Sequence, residues 1–430
     1  MTSLFLFLAG GLGLVILTSV GYLLVLLSAA FLAKRERRPS GTVLPDAASA
    51  PRMAVVIPAH NEELVLAATL ASLASQDYPR ERFEVVVVAD NCTDATAAIA
   101  RAHGAQVLER TNRAERGKGY ALDWAIAHLL AAPAPADAFV IVDADTWTAP
   151  NFLTQMASPL VSDPDMHGRC ALQGRYRVLN SEEGWRAALM GAAFDLCNHV
   201  KLLGQARLGL SVGLKGNGMA FTRAVLEGAR WSGSITEDID FGLELLRRHG
   251  VRVRYVPDAL VRAQMPTGVQ AASTQRERWE MGRYRLLRER AVPLFWEGLK
   301  QRNALLCDAG LSLMVPPLAE LTALLMLWGG TVALGEWMHL LPGDWEWNGA
   351  FALAALGLLT YVVGGLAVAD APADAYRALL KAPGYTLWKL GRYAICGLKT
   401  LSSPKRESAE WVRTAREPMA TTQEQPGAAE

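Results

Sequence analysis

Long apolar runs lie towards both ends of the chain, with a mixed polar segment between them. Residues 4–32 carry no charge and exceed the roughly 20 residues that a bilayer-spanning helix needs. Two further apolar stretches, 305–334 and 349–369, lie near the C-terminus, and Pro316 and Pro317 interrupt the first of them. The pattern predicts three membrane-spanning helices, one of them broken or kinked at its prolines.

Basic residues mark one side of these runs. A cluster at 34–38 follows the first run, and the tail after residue 369 is also basic. By the positive-inside bias, segment 34–304 and the tail face the cytoplasm. A cleaved signal peptide is the alternative for the first run. That run is long for a signal peptide and has no basic residues before it, so we expect a retained anchor in the inner (plasma) membrane.

Between residues 53 and about 264, short β-branched runs alternate with segments of helical spacing. The runs are MAVVIPA at 53–59, FEVVVVAD at 83–90, AQVLER at 105–110 and AFVIVDAD at 138–145, and the helical segments are 62–75, 94–103 and 118–132. This alternation predicts an α/β domain with a mostly parallel sheet covered by helices on both sides. Ligands of such sheets bind beyond the carboxyl ends of the strands.

Polar side chains stand at three of these strand ends: His60-Asn61-Glu62, Asp90-Asn91, and the pair Asp143 and Asp145. Asp143 and Asp145 are two residues apart, so an extended backbone aims both carboxylates to one side. Such oxygens suit Mg²⁺ or Mn²⁺ held together with a substrate diphosphate. A turn is the alternative for Asp143 and Asp145, and a helix cap is the alternative for Asp90-Asn91.

Two further segments carry candidate chemistry. Lys118 lies between two glycines at a helix start, which suits a phosphate-binding lysine, or else an exposed lysine on a flexible loop. Glu237 and Asp238 precede an amphipathic helix, where Thr236 as the N-cap and the helix dipole would favour acids. A carboxylate that reaches the cleft would instead act as a general base. Capping does not explain why Asp240 is added to this acidic turn.

The charged segment STQRERWEMGR at 273–283 stands close to the next apolar run. Gln275, Arg278 and Trp279 fall on one face of a helix. The helix would lie in the membrane interface, with its tryptophan at the headgroups, or it would turn this face inward to hold a diphosphate and an acceptor. The pattern alone does not choose between these two interpretations.

Seven segments, taken together, resemble the family-2 glycosyltransferases of the GT-A fold, in their membrane-embedded branch that includes cellulose and poly-N-acetylglucosamine synthases. They are VVIPAHNEE at 55–63, VVVVADNCTDAT at 85–96, RGKGYALDWA at 116–125, VDADT at 142–146, GLKGNGMAF at 213–221, TED at 236–238 and QRERW at 275–279. The resemblance covers about half of the chain, and GLKGNGMAF departs from the more aromatic or cysteine-containing segment of cellulose synthases.

The resemblance implies a mixed GT-A sheet and a role for each matching residue. Asp90 would contact the uracil of a UDP-sugar, His60, Asn61 and Glu62 would lie beside the nucleotide, Lys118 would contact its phosphates, Asp143 would face the donor, Asp145 would bind Mg²⁺ or Mn²⁺, Asp238 would be the catalytic base, and Glu237, Gln275, Arg278 and Trp279 would hold the diphosphate and the acceptor. The implied function is inverting transfer from a UDP-sugar to a growing β-linked exopolysaccharide.

Two other functions stay open. A single transfer that makes a glycolipid is favoured by the small number of spans, as in ceramide glucosyltransferases. A catalytically dead sugar-nucleotide sensor is disfavoured, since the acids are all present. We expect a polysaccharide or lipid acceptor, contact with the bilayer, and a small membrane partner subunit or a homo-oligomer if three spans are to enclose a polymer. No nucleic-acid partner is expected.

The expected organisation follows from these runs. It comprises an anchor at 1–33, a basic linker at 34–51, the GT-A domain at 52–272, interfacial helices at 273–304, membrane-spanning helices at 305–369, a basic amphipathic segment at 370–416 and a disordered tail at 417–430. The five cysteines and seven histidines show no metal-binding spacing, so a zinc site is not expected.

Overall fold

In the computed structural model, the described residues are 2–36, 50–162, 168–265, 280–341 and 345–388. They form two compact units. The first unit holds residues 2–36, 181–208 and the described residues from 314 to 388. The second unit holds the described residues of 50–180 and 209–313.

The helices are numbered along the chain as follows: α1 Thr2–Glu36, α2 Leu66–Ala74, α3 Thr96–Ala102, α4 Lys118–Leu130, α5 Phe152–Ser162, α6 Trp185–Asp195, α7 Lys201–Arg207, α8 Arg223–Leu226, α9 Glu237–His249, α10 Val292–Gln301, α11 Ala304–Met314, α12 Leu318–Trp337, α13 Trp345–Val368 and α14 Ala373–Leu379. A π-helical segment, Leu196–Val200, joins α6 to α7. A second one, Leu287–Ala291, leads from helical residues 280–286 into α10.

In the part of the second unit that the structure describes, eight strands form one sheet. They are β1 Met53–Ala59, β2 Phe83–Asp90, β3 Gln106–Arg110, β4 Ala138–Ile141, β5 Thr146–Thr148, β6 Ala171–Val178, β7 Met219–Thr222 and β8 Val253–Ala263. Their order across the sheet is β3-β2-β1-β4-β7-β6-β8-β5. The four predicted strands are confirmed, although the run at 138–145 ends as a strand at Ile141, and its last residues form a loop.

The sheet is mixed, as the resemblance to the GT-A fold implies, with four parallel and three antiparallel pairs of neighbouring strands among the described residues. β3, β2, β1 and β4 are parallel neighbours, as the strand–helix alternation predicts. Beyond β4, however, β7 runs antiparallel to both β4 and β6, and β5 runs antiparallel to β8. Strands β5 and β7 are three and four residues long, too short for hydrophobic periodicity to reveal them.

The parallel strands form the centre of the core of this unit. Val55 and Ile57 of β1 and Val140 of β4 are completely buried, and Phe152 and Met156 of α5 pack into the same cluster. Burial of each large apolar side chain stabilises the fold by about 1.5–3 kcal/mol. The rigid sheet fixes the positions of the loops that leave its carboxyl edge.

Among the described residues, three helices of the first unit are long and apolar enough to cross a membrane: Phe5–Glu36, Leu318–Trp337 and Trp345–Val368. The prediction of three such helices is confirmed. The predicted break is also confirmed, because α11 ends at Met314 and α12 begins after Pro316 and Pro317. Helices α1 and α7 approach closely, since a Cβ added to Gly204 would lie 2.2 Å from Leu26 O.

Candidate active site

The loops after β1 and β2 are tied to each other at the carboxyl edge of the sheet. Asn61 and Asn91, which follow the two strands, both have positive φ, at 56° and 51°. Asn61 Oδ1 accepts a hydrogen bond from the Thr93 amide at 2.7 Å. His60 Nδ1 lies 2.7 Å from Asp90 O. These contacts bring the polar residues of the two predicted strand ends together.

The carboxylate of Asp90 is buried and paired. Its Oδ1 accepts hydrogen bonds from Arg110 Nη1 at 2.7 Å and from Asn91 Nδ2 at 3.0 Å. The helix-cap interpretation of Asp90-Asn91 is excluded, because Asp94 Oδ1 instead accepts from the Thr96 amide at the start of α3. Glu62 is also buried there, and its amide donates to the Thr96 hydroxyl at 2.8 Å.

Asp143 and Asp145 lie in a tight turn between β4 and β5, as the turn interpretation expects. The fully buried Asn217 holds this turn from one side, because its Oδ1 accepts from the Asp143 amide at 3.1 Å and its Nδ2 donates to Thr146 Oγ1 at 2.8 Å. Thr69 of α2 holds it from the other side by donating to Ala144 O at 2.7 Å. The turn is thus rigidly placed, and Asp145 is only 6% exposed.

Lys118, the first residue of α4, extends to this turn. Its ammonium forms an ion pair with Asp143 Oδ1 and donates to Gly216 O. The side chain is 22% exposed, so the alternative of an exposed lysine on a flexible loop is excluded. The neighbouring Gly119 permits this placement, since a Cβ there would lie 1.9 Å from Ser232 O.

Glu237 and Asp238 open α9 beside the same lysine. A Cβ on Gly216 would lie 3.3 Å from Asp238 Oδ2 and 3.8 Å from Lys118 Nζ, which shows how closely the three residues approach. Lys118, Asp143 and Asp238, from α4, the β4–β5 turn and α9, therefore meet beside the Gly216 backbone.

Burial and mutual charge set the protonation of this cluster. Burial, reinforced by the charge of Asp238, raises the pKa of Glu237 to about 8, although Lys118 opposes the shift. Burial also raises the pKa of Asp238, against the opposing charges of Lys118 and Lys215. Burial alone would lower the pKa of Lys118, but the charges of Asp143 and Glu237 raise it overall. These shifts favour the charged form of Lys118 and the protonated form of Glu237.

The rest of the acidic turn has a structural partner. Asp240 forms an ion pair with Arg285, whose Nη2 also donates to Ser234 Oγ at 2.7 Å. Thr236 precedes α9 as predicted, but its side chain makes no capping hydrogen bond. A Cβ on Gly282 would lie 2.4 Å from Thr236 Cγ2, so the helical residues from 280 onward pack against the start of α9.

The three candidate residues of the charged segment, Gln275, Arg278 and Trp279, lie outside the described residues. Across the described ranges, no group of three or more histidine, cysteine, aspartate or glutamate side chains is arranged to hold a metal ion.

Three residues that organise the site, Gly216, Asn217 and Arg110, have no role predicted from the sequence. Gly216 and Asn217 lie within the GLKGNGMAF motif, so the motif itself was the available signal. Arg110 stands opposite Asp90 in the register of β2 and β3. The signal there is a charged residue at the end of the edge strand β3, and its partner is known only from the strand pairing.

A comparison with protein families gives a match to the model described as Glycosyltransferase like family 2 over residues 51–282. This match spans more than half of the chain and includes every candidate site residue. The chain belongs to this family. The mixed α/β sheet of the second unit agrees with the GT-A-like fold of family 2.

Among curated members of the wider group, the chain is 30% identical over 241 residues to the beta-monoglucosyldiacylglycerol synthase of Synechocystis sp., with 54% of this chain and 48% of the relative covered. It is 27% identical over 248 residues to an N-acetylglucosaminyltransferase of Rhizobium leguminosarum bv. viciae, with 55% and 56% covered. The chain thus spans about half the length of these relatives.

Among solved structures, the mannosyltransferase PcManGT from Pyrobaculum calidifontis, in complex with GDP-Man and Mn²⁺, aligns with a TM-score of 0.45 and 22% identity. The alignment covers 83% of this chain and 99% of the mannosyltransferase.

Proposed function

We propose that this family-2 protein is an inverting glycosyltransferase that moves a sugar from a UDP-sugar to a hydroxyl of a growing β-linked exopolysaccharide. The observation that carries the proposal is the ion pair of Lys118 with Asp143, placed beside Asp238 at the edge where the parallel strands end. A ligand-binding crevice is expected at this edge of an α/β sheet.

The donor would occupy the loops after β1, β2 and β4. Asp90 would accept from the base, His60, Asn61 and Glu62 would flank the nucleotide, and Lys118 and Asp143 would face the diphosphate. The carboxylates of Asp145 and Asp143 are suitable ligands for Mg²⁺ or Mn²⁺. Proteins often bind Mg²⁺ by one or two carboxylates together with substrate phosphates. When bound, such an ion would neutralise charge on the departing diphosphate.

Asp238 would accept the proton of the acceptor hydroxyl as that oxygen attacks the anomeric carbon and the bond to UDP breaks. Its raised pKa makes it a stronger base than an ordinary aspartate. Burial favours the protonated form of Glu237, which is a poor nucleophile. The reaction would then be a single displacement, which converts an α-linked donor into a β-linked product.

The acceptor side would involve Glu237 together with Gln275, Arg278 and Trp279. We propose that the second unit faces the cytoplasm and that the candidate spans lie in the inner (plasma) membrane. A small partner subunit or a homo-oligomer would complete a path for a polymer.

A single transfer that makes a glycolipid is the second candidate. The observation that favours it is the 30% identity to a beta-monoglucosyldiacylglycerol synthase. The donor site and the base would be the same, and only the acceptor would differ.

The experiment is to reconstitute the purified protein in lipid nanodiscs with Mg²⁺ or Mn²⁺, supply a panel of radiolabelled UDP-sugars, and size the products. Long, lipid-free, glycosidase-sensitive chains would support the polysaccharide synthase. One sugar on an extractable lipid would support the glycolipid enzyme, and no transfer from any donor would point to a missing partner subunit.

A further inference from the structure

We propose that Arg110 is a positioning residue that orients the Asp90 carboxylate to accept an N–H of the nucleobase, and that it thereby sets the base selectivity of the donor site. The inference rests on the proposed function, since it takes the nucleotide of the donor to lie over Asp90. Arg110 itself is not proposed to touch the substrate.

The geometry around Arg110 is that of a fixed support. Its side chain is 5% exposed and that of Asp90 is 8% exposed, so the ion pair is shielded from water. Arg110 Nη1 donates to Asp90 Oδ1 at 2.7 Å and to Glu115 O at 2.9 Å, and Nη2 donates to the Glu115 carboxylate at 3.1 Å. The guanidinium is thus held at both of its terminal nitrogens.

A second contact orients Asp90 from the loop. Asn91 Nδ2 donates to the same oxygen, Asp90 Oδ1, and Asn91 is itself bound to both backbone groups of Asn112. Two donors on one carboxylate oxygen fix the rotation of the carboxylate. The plane of the group, and with it the direction of the other oxygen, is therefore set before any ligand binds.

Stability alone does not account for such a pair. Replacing a buried ion pair by apolar residues of similar size is often neutral or stabilising, because the desolvation cost offsets the attraction. The neighbouring strand residue, Glu109, provides a comparison. It forms an ion pair with Arg101 at the surface, where the two side chains are 58% and 56% exposed. A buried, doubly supported carboxylate at the nucleotide end of the sheet is better explained by what it must recognise.

The chemistry of recognition follows from the carboxylate. An ionised carboxylate accepts hydrogen bonds and donates none. Uracil offers N3–H as a donor, whereas N3-methyluracil does not. A hydrogen bond to a charged acceptor corresponds to roughly a ten- to hundredfold difference in affinity.

The test is the ratio of the affinities for UDP and N3-methyl-UDP, measured by calorimetry on the full-length protein in nanodiscs. We expect the wild-type protein and the matched surface variant Arg101→Met to prefer UDP by roughly ten- to hundredfold. Arg110→Met should lose most of this preference by weakening UDP binding, with the affinity for N3-methyl-UDP unchanged. A general structural defect would weaken the binding of both nucleotides equally and leave the ratio of their affinities unchanged.

Two further variants keep the inference falsifiable if Arg110→Met does not fold. Arg110→Lys keeps the charge but not the fork of donors, and it should give a ratio between those of the wild type and Asp90→Asn. In the Asp90→Asn background, replacement of Arg110 should cause no further loss of preference.

An unchanged preference in folded Arg110→Met or Arg110→Lys would overturn this inference and leave the proposed donor intact. Equal affinity of the wild-type protein for the two nucleotides would overturn the role of Asp90 in base recognition and this inference with it. A wild-type protein that binds neither nucleotide would instead contradict the proposed use of a UDP-sugar, and the inference would fall with it.

Discussion

We expect the buried Glu237 to make the folded protein less stable as the pH rises. Its pKa is raised from an ordinary value of 4.5 to about 8 by burial and by the charge of Asp238. The folded protein therefore holds this proton more tightly than the unfolded chain does. The resulting stability is fully present below about pH 4.5 and is lost as the pH rises through about 8. The variant Glu237→Gln, which mimics the protonated form, should not lose it.

The magnitude follows from the pKa difference. One pKa unit corresponds to about 1.4 kcal/mol, so the full loss is on the order of 5 kcal/mol. For a domain of about 150–250 residues, 1 kcal/mol shifts the unfolding temperature by about 2–4 °C. Between pH 5.5 and 8.5, the wild-type unfolding temperature should therefore fall by on the order of 10 °C more than that of Glu237→Gln.

The assay is thermal unfolding of the purified protein in nanodiscs across this pH range, without nucleotide or added divalent cation. The matched control is Glu227→Gln, because Glu227 is 60% exposed and only loosely paired with Arg223 at 3.9 Å. This control should keep the wild-type dependence on pH. Parallel curves for the wild type and Glu237→Gln would refute the assignment of a buried, proton-holding Glu237.

Three other substitutions test the site and the packing. Lys118→Met should lower the transfer rate by about 10²–10³-fold, as removal of one charge-stabilising donor does. The control variant Arg230→Met, at a 71% exposed arginine, should keep the wild-type rate. Equal rates for the two variants would contradict the role of Lys118. Asn217→Ala leaves the Asp143 amide and the Thr146 hydroxyl without their buried partner. This variant should lower both the unfolding temperature and the transfer rate, with a loss of folding stability of about 1–3 kcal/mol for each unsatisfied group. An unaltered melting curve would contradict the structural role of Asn217. Gly204→Ala should destabilise the first unit, because the added Cβ would lie 2.2 Å from Leu26 O. Gly21→Ala, which has open space around it, should not. Similar yields of folded protein from both variants would show that the close approach of α1 and α7 is unimportant for stability.

The first half of the sheet could be predicted because its strands are buried on both faces. Strands β1 and β2 have the bounds of their apolar runs, and the polar residues after them come together as the rule for parallel sheets requires. The second half could not be predicted in this way. Strands β5 and β7 are short, and they pair with strands far along the chain, so local periodicity carries no trace of them.

The partners of charged residues were the least predictable part of the site. Asp90 was compatible with a helix cap until the register of β2 and β3 set it opposite Arg110. Asp240 was unexplained because its partner, Arg285, is 45 residues away. The contact of Lys118 with Asp143 joins the start of α4 to the β4–β5 turn, and Gly216 O also accepts from this lysine. Only the resemblance to family-2 enzymes indicated that the three motifs that carry these residues belong to one site.

The central claim is that Asp238 is the base for sugar transfer, and one measurement tests it most directly. Transfer from radiolabelled UDP-sugars would be compared among the wild type, Asp238→Asn and Asp240→Asn in nanodiscs with Mg²⁺ or Mn²⁺. Asp240 lies in the same turn of α9 but pairs with Arg285, so its variant is the matched control. We expect transfer by the wild type and Asp240→Asn and none by folded Asp238→Asn. Transfer by Asp238→Asn at the wild-type rate would contradict it.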